Sequence, residues 1–367
     1  MRLVDRRTVL LHGAAAAGAG AMLPALARAQ AQAPAPAGWA KLNTEPYKGK
    51  QDDISFVSPD IGWYGNGAGK LFRTTDGGQS WSMVWEKPGT FIRALGFVDA
   101  KFGFLGNIGT EYYPGVADTQ PLYVTRDGGA TFTPVQAPGI EAVKGICGID
   151  ILREERIFQG VLRAAPVIHA AGRVGGPAAM LRSVDGGESW KVIDLSTRTG
   201  MILDVKFHSA QVGFICASSE RAPQQTNAQI LRTEDGGETW KEVYRSNRPF
   251  ELCWKMSFPS AKVGYATVQS YQPGVTQRVV AKTTDGGLTW SELPLVEDAR
   301  AQEFGIGFVD ERRGWVGTAV SGFETRDGGA TWSPVEMGRG VNKIRVLRNG
   351  KGFRAFAIGV DVHRLDA

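Results

Sequence analysis

The residues best equipped for chemistry are six aspartates that recur in one setting. Asp76, Asp127, Asp185, Asp235, Asp285 and Asp327 each sit in a string of the form Thr/Ser-x-Asp-Gly-Gly-x-Ser/Thr-Trp/Phe. Carboxylates can act as acids, bases or nucleophiles, but glycosidic chemistry needs two of them in different environments facing one substrate. Here all six share one local context, at spacings of 51, 58, 50, 50 and 42 residues. Six equivalent positions cannot all be catalytic. The same residue types build a tight turn: the carboxylate accepts N–H groups of its own turn, the glycines supply positive φ, and the closing ring is there to be buried.

Other chemistry is weakly signalled. There is no G-x-S-x-G elbow, H-E-x-x-H pair or phosphate loop. The Gly-rich stretch Gly172–Ala178 lacks the strand–helix context of a nucleotide site. His169, His208 and His363 stand singly and read as surface or satisfied strand histidines. Cys147, Cys216 and Cys253 lie in apolar runs without C-x-x-C or Cys/His spacing, so they read as buried small hydrophobes. Neither zinc nor a disulfide framework is indicated, and no metal or cofactor is expected.

The elements that position these turns are also repeated. Upstream of each turn comes an aromatic, then about six residues, then Gly plus an aromatic: Phe56 with Gly62-Trp63, Phe97 with Gly103-Phe104, Phe207 with Gly213-Phe214, Phe258 with Gly264-Tyr265, Phe308 with Gly314-Trp315. Ile151 fills this phase weakly in a third copy, with Gly160 ending its turn, and Leu347 with Gly352-Phe353 fills it in a seventh copy that has no Asp-Gly-Gly turn. A period of about 50 residues suits a four-stranded propeller blade. The expectation is an all-β, seven-bladed propeller over 39–367, with the orphan segment GWAKLN completing the last blade beside the C-terminus.

These turns match the Asp-box, or BNR repeat, which also occurs in sialidases and some glucanases. The chain as a whole most resembles the photosystem II stability/assembly factor family. That resemblance implies a single seven-bladed propeller, no enzymatic activity, and a basic patch that docks a membrane-protein precursor. Sialidases typically use six blades and an Arg-Ile-Pro signature that is absent here; the glucanases use two tandem propellers.

Composition agrees with many short strands: 48 glycines with 10% aromatic and 43% apolar residues can fill a large core. Residues 1–31 read as a twin-arginine-type export signal, with Arg6-Arg7 ahead of an Ala/Gly-rich apolar stretch, and 32–38 as an Ala/Pro spacer. The signal holds a net charge of +3, leaving only +2 of the chain's +5 for the remainder, and no basic run tracks a nucleic acid. A periplasmic monomer is expected, or a thylakoid-lumen one in an oxygenic phototroph.

Loops entering the first strand of each blade carry about one cation apiece: Lys48, Arg93, Lys144, Arg198, Arg248, Arg300 and Arg339, with Lys255 and Lys343 slightly further in. Blade three adds Arg153, Arg156, Arg163, Arg173 and Arg182. A cationic rim would attract an acidic loop or a free carboxylate. The leading expectation is a non-enzymatic binding module for an extracytoplasmic segment of a membrane protein. A glycan-active or glycan-binding Asp-box protein is the alternative, and a fixed subunit of a membrane oxidoreductase or transporter the third.

Overall fold

Each repeat opens with two short strands whose residues are almost all buried, such as Gln51–Phe56 and Gly62–Asn66, and ends on an exposed strand such as Ser82–Glu86. Strands covered on both faces tolerate unbroken apolar runs, whereas a strand at the rim must be polar. The computed structural model describes residues 38–153, 155–158, 161–350 and 352–367; the expected export signal and, apart from Gly38, the expected spacer fall outside them.

Seven four-stranded antiparallel sheets result, spanning 51–86, 92–134, 148–194, 201–245, 251–297, 303–335 and 343–366. Their innermost strands touch in a closed cycle, from first to seventh and back to the first. The seventh sheet supplies three strands of its own. Its fourth is Ala40–Lys41, which pairs with Val362–Asp366 in the register Ala40↔Arg364, and Leu42 N–H adds a bond to the Val362 carbonyl at 2.8 Å. The expected ring and latch are therefore both present.

The Phe-x6-Gly pattern has a steric cause. A Cβ on Gly62 would meet the Phe56 ring at 2.4 Å, and the same clash recurs at Gly103, Gly213, Gly264 and Gly314. The phenyl ring lies flat on the bare backbone of its neighbouring strand, and the residue after the glycine stacks on the next blade. Trp63 lies on Phe97 with ring centroids 3.6 Å apart, and Tyr265 on Phe308 at 3.7 Å.

Blade three departs from the expectation. Ile151 keeps its phase, but its cross-strand partner is Ile168, not Gly160. The hairpin Glu155–Phe158/Val161–Ala164 is inserted between the first two strands and pushes the second strand downstream. His169 then takes the stacking position, fully buried and parallel to Phe207 at 3.4 Å. Blade seven departs too. Leu347 pairs with Arg354 and Phe353 packs on Trp315, so the ring stacked on Phe56 is Phe356.

Candidate functional site: the channel mouth

The Asp-box turns spend their carboxylates locally. In the first, Asp76 accepts from Thr74 Oγ1 at 2.7 Å, Ser80 N–H at 2.9 Å and Ser80 Oγ at 2.6 Å, while Thr74 Oγ1 accepts from Gly78 N–H. Asp127, Asp185, Asp235, Asp285 and Asp327 repeat these bonds. The hydroxyl of Ser80 first, then its backbone N–H, pulls Asp76 down to about 2. A carboxylate held ionised with its lone pairs occupied is a turn component, not a reagent.

The centre of the ring is built differently. In five blades the innermost strand slips by one residue against its neighbour: between Gln51 and Asp53, Ile92 and Ala94, Ile202 and Asp204, Cys253 and Met256, and Glu303 and Gly305. A β-bulge leaves one residue out of the ladder and re-aims its side chain. The residues skipped are Asp52, Arg93, Leu203, Trp254 with Lys255, and Phe304. Each of Asp52, Arg93, Leu203, Trp254 and Phe304 stands four residues before the residue that closes its strand's phase; the same offset gives Cys147 in blade three and Lys343 in blade seven.

This bulge ring plugs the channel. Arg93 of blade two reaches over the Trp254 ring of blade five, with its guanidinium carbon 5.8 Å from the centroid. Lys50, at the threshold of blade one, holds its ammonium 5.1 Å over Phe304 of blade six. Trp254 and Phe304 meet edge to face, and Trp254 Nε1 donates to Tyr271 Oη at 2.9 Å. Beside them, Phe91 stacks on Tyr113, which meets Tyr112 edge to face, both tyrosines coming from the long loop that follows the second strand of blade two. Beside this collar a cavity of about 120 Å³ lies between Tyr112, Val174, Met201, Leu252, Trp254 and Tyr271, with Arg221 at its edge.

Charges in the channel are mostly paired. Arg93 donates to Asp52 at 2.6 Å, and both are buried. Asp53 faces Lys343 at 2.5 Å and Arg345 at 3.5 Å, and also accepts Leu95 N–H of the next blade at 2.7 Å. Asp150 does the same with Lys206 and Phe207 N–H, and Asp204 with Lys255 and Met256 N–H. Each carboxylate thus bolts one inner strand to the next. Lys50 is the exception: its described contact is the Phe304 ring, with no carboxylate among the described residues in ion-pair range. Burial first, then Arg93 and Lys255, pull its ammonium down to about 8, against the opposing field of Asp52. Among the described residues no group of three His, Cys, Asp or Glu side chains could hold a metal.

The rim expected from sequence is rearranged. Arg93 lies in the channel wall under Asp52, rather than on the surface. Arg248 is clamped between Glu251 and Glu292, and Arg300 is paired with Asp298. Lys144 bonds to the Glu141 carbonyl at the surface, while Lys48, Arg198 and Arg339 are exposed. The blade-three arginines are split between the two faces. Arg173 is buried beneath the long blade-two loop, donating to the Ile108 and Thr110 carbonyls and to Glu111. Arg182 pairs with Glu238 beside the next Asp-box. Arg156 and Arg163 are cross-strand neighbours in the inserted hairpin at the opposite end of the channel. There Arg153, with Lys206 and Arg345, lines a cavity of about 330 Å³.

Sequence reading missed Lys50, Phe91, Trp254 and Phe304. Aligning the seven copies on their phase residue and reading four positions back would have found the last two.

The family description "Photosynthesis system II assembly factor YCF48" matches residues 188–302, from the outer edge of blade three through blade five. No curated protein matches the sequence. Among solved structures, YCF48 bound to D1 peptide is 16% identical with a TM-score of 0.59, covering 90% of this chain and 95% of that one. YCF48 from Cyanidioschyzon merolae is 17% identical with a TM-score of 0.62, covering 90% and 99%. An ancestral GH74 enzyme shares the fold at 14% identity and a TM-score of 0.62, over 88% of this chain but 45% of its own. The chain is thus a seven-bladed propeller that shares its fold with YCF48 and is similar to that family over residues 188–302.

Proposed function

We propose that this propeller is a non-enzymatic assembly factor that captures an acidic or carboxylate-ended segment of a membrane-protein client at the channel mouth. One observation carries the reading: the bulge ring sets the Lys50 ammonium over the face of Phe304, which meets Trp254 edge to face, with no carboxylate among the described residues in ion-pair range of it. A half-buried cation whose nearest carboxylate, Asp52, is already bonded to Arg93 favours an anion that pairs with it directly, and apolar walls strengthen the attraction. The adjoining cavity accepts one apolar side chain of the same segment. The solved structure of YCF48 bound to D1 peptide, which shares this fold, supports a peptide as the ligand.

The glycosidase alternative is less favoured. Asp52, Asp53, Asp150 and Asp204 are each held by a cation, a backbone N–H or both, and Asp52 and Asp53 are fully covered. The protein would act as a monomer in the periplasm, or in the lumen of an oxygenic phototroph, after export by the twin-arginine route.

The experiment is capture of client from detergent-solubilised membranes, with a fluorescent acidic peptide titrated in parallel. Lys50→Ala should weaken peptide binding about tenfold, as expected for one charge-assisted contact, without lowering Tm. The free-carboxylate peptide should outcompete its amidated twin, and affinity should fall as pH rises through about 8, where Lys50 discharges. Arg153→Glu, at the opposite mouth, should leave binding intact. Undiminished capture by Lys50→Ala, or loss confined to Arg153→Glu, would reject the site.

A further inference from the structure

Blades four and five are joined by more than packing. Cys216, in the second strand of blade four (Gly213–Ser218), and Cys253, in the inner strand of blade five (Glu251–Ser257), are both fully buried. Their Sγ atoms lie 2.9 Å apart. A disulfide needs about 2.05 Å, so less than about 1 Å of further approach separates the pair from a bond. The surroundings are Ala228, Ile230, Tyr244, Met256 and Val268, which offer the sulfurs no competing ligand. Cys147 belongs to a different apolar cluster, around the channel plug.

We infer that Cys216 and Cys253 are a disulfide site that staples blade four to blade five. The bond forms by thiol–disulfide exchange with an oxidised disulfide donor, such as oxidised glutathione. One cysteine thiolate displaces half of the donor as a thiol, the second thiolate resolves the mixed disulfide, and the donor leaves as two thiols carrying the electron pair and the two protons. Burial pushes the Cys216 thiol well above its ordinary range, so the closed seam is inert. Exchange therefore belongs to folding, before the seam shuts. The consequence is local to the mouth, because Cys253 immediately precedes Trp254 and Lys255 of the bulge ring.

The test refolds the full chain from denaturant with oxidised glutathione or with a thiol reductant, then alkylates it under denaturing conditions. After oxidative refolding, alkylatable thiols should fall from three to one, with the intact mass lower by two hydrogens and the peptide carrying Cys147 the one labelled. Tm should rise by roughly 5 °C over the reduced protein. In Cys216→Ala, oxidative refolding should leave two labelled thiols and no change in Tm. Three labelled thiols in the wild type, or a bond that includes Cys147, would overturn the inference. Neither result bears on peptide capture, which is read separately.

Discussion

The outer belt of Asp-box turns and the inner bulge ring are both sets of equivalent positions, and they obey opposite rules. The turns are nearly identical in all six copies, down to the Thr or Ser hydroxyl that caps the second glycine. The ring uses a different residue in every blade: Asp52, Arg93, Cys147, Leu203, Trp254, Phe304 and Lys343. Uniformity at a repeated position means that the repeat itself demands the residue. Variety means that the position is released from the repeat and free to be shaped by something at the centre. In this molecule, the residues that look most catalytic are scaffold, and those that look like irregular strand starts form the proposed site.

The sharpest way to break this comparison is at the joint between the two sets. Asp53, one residue past the ring, accepts Leu95 N–H and faces Lys343 and Arg345 with no exposure. Asp53→Ala would strand a buried ammonium and a buried N–H, costing about 3–5 kcal/mol. Urea unfolding should show this as a lower midpoint with unchanged slope. A cost near that of a surface substitution would mean that the inner strands are not bolted by carboxylates.

The belt responds to acid instead. Asp76, Asp127, Asp235, Asp285 and Asp327 are each held down to about 2, first by the hydroxyl that follows the second glycine. Because the folded value lies below the unfolded one of roughly 4, the stabilisation is complete above about pH 4 and fades as pH falls toward 2. Thermal melts from pH 5 downward should be flat at first and then drop. A protein as stable at pH 2 as at pH 5 would show that the turns contribute nothing through their charge.

Much of the belt was legible in the sequence because its cause is local. A turn that needs two positive φ values, a side-chain acceptor and a buried ring writes itself into eight consecutive residues, and six copies fix the period and hence the seven blades. The latch was legible because GWAKLN has the polarity of an outer strand with no repeat before it. The ring was not. Asp52 finds Arg93 41 residues away, and Arg93 meets Trp254 from across the channel, so no local pattern records either contact. A bulge also shifts by one the face on which each side chain emerges, which defeats a reading based on alternation. Arg93 looked like a rim cation for that reason, its carboxylate lying in the neighbouring blade, whereas Arg248 is cancelled by Glu251 three residues on and by Glu292 of the outer strand.

Exchanging ring residues between blades sharpens the comparison. Trp254→Leu installs what blade four carries at the same position. It should retain the fold but remove the aromatic face under Arg93, weakening peptide binding about tenfold, or ~1.4 kcal/mol. Fluorescence titration reads the loss and a thermal melt reads the fold. Equal losses of binding and cooperativity would make Trp254 a packing residue like its neighbours.

The counterpart in the belt is Thr233→Val, an exchange of nearly equal size. Thr233 Oγ1 accepts Gly237 N–H at 2.9 Å and donates to Asp235 at 2.8 Å, with almost no exposure. Valine leaves that N–H unsatisfied, which costs about 1 kcal/mol. The effect should appear only as a small drop in Tm, with peptide affinity untouched, because this turn lies at the opposite end of its blade from the mouth. If Thr233→Val weakened binding as much as Trp254→Leu, position in the repeat would not separate scaffold from site, and the contrast between uniform belt and varied ring would lose its meaning.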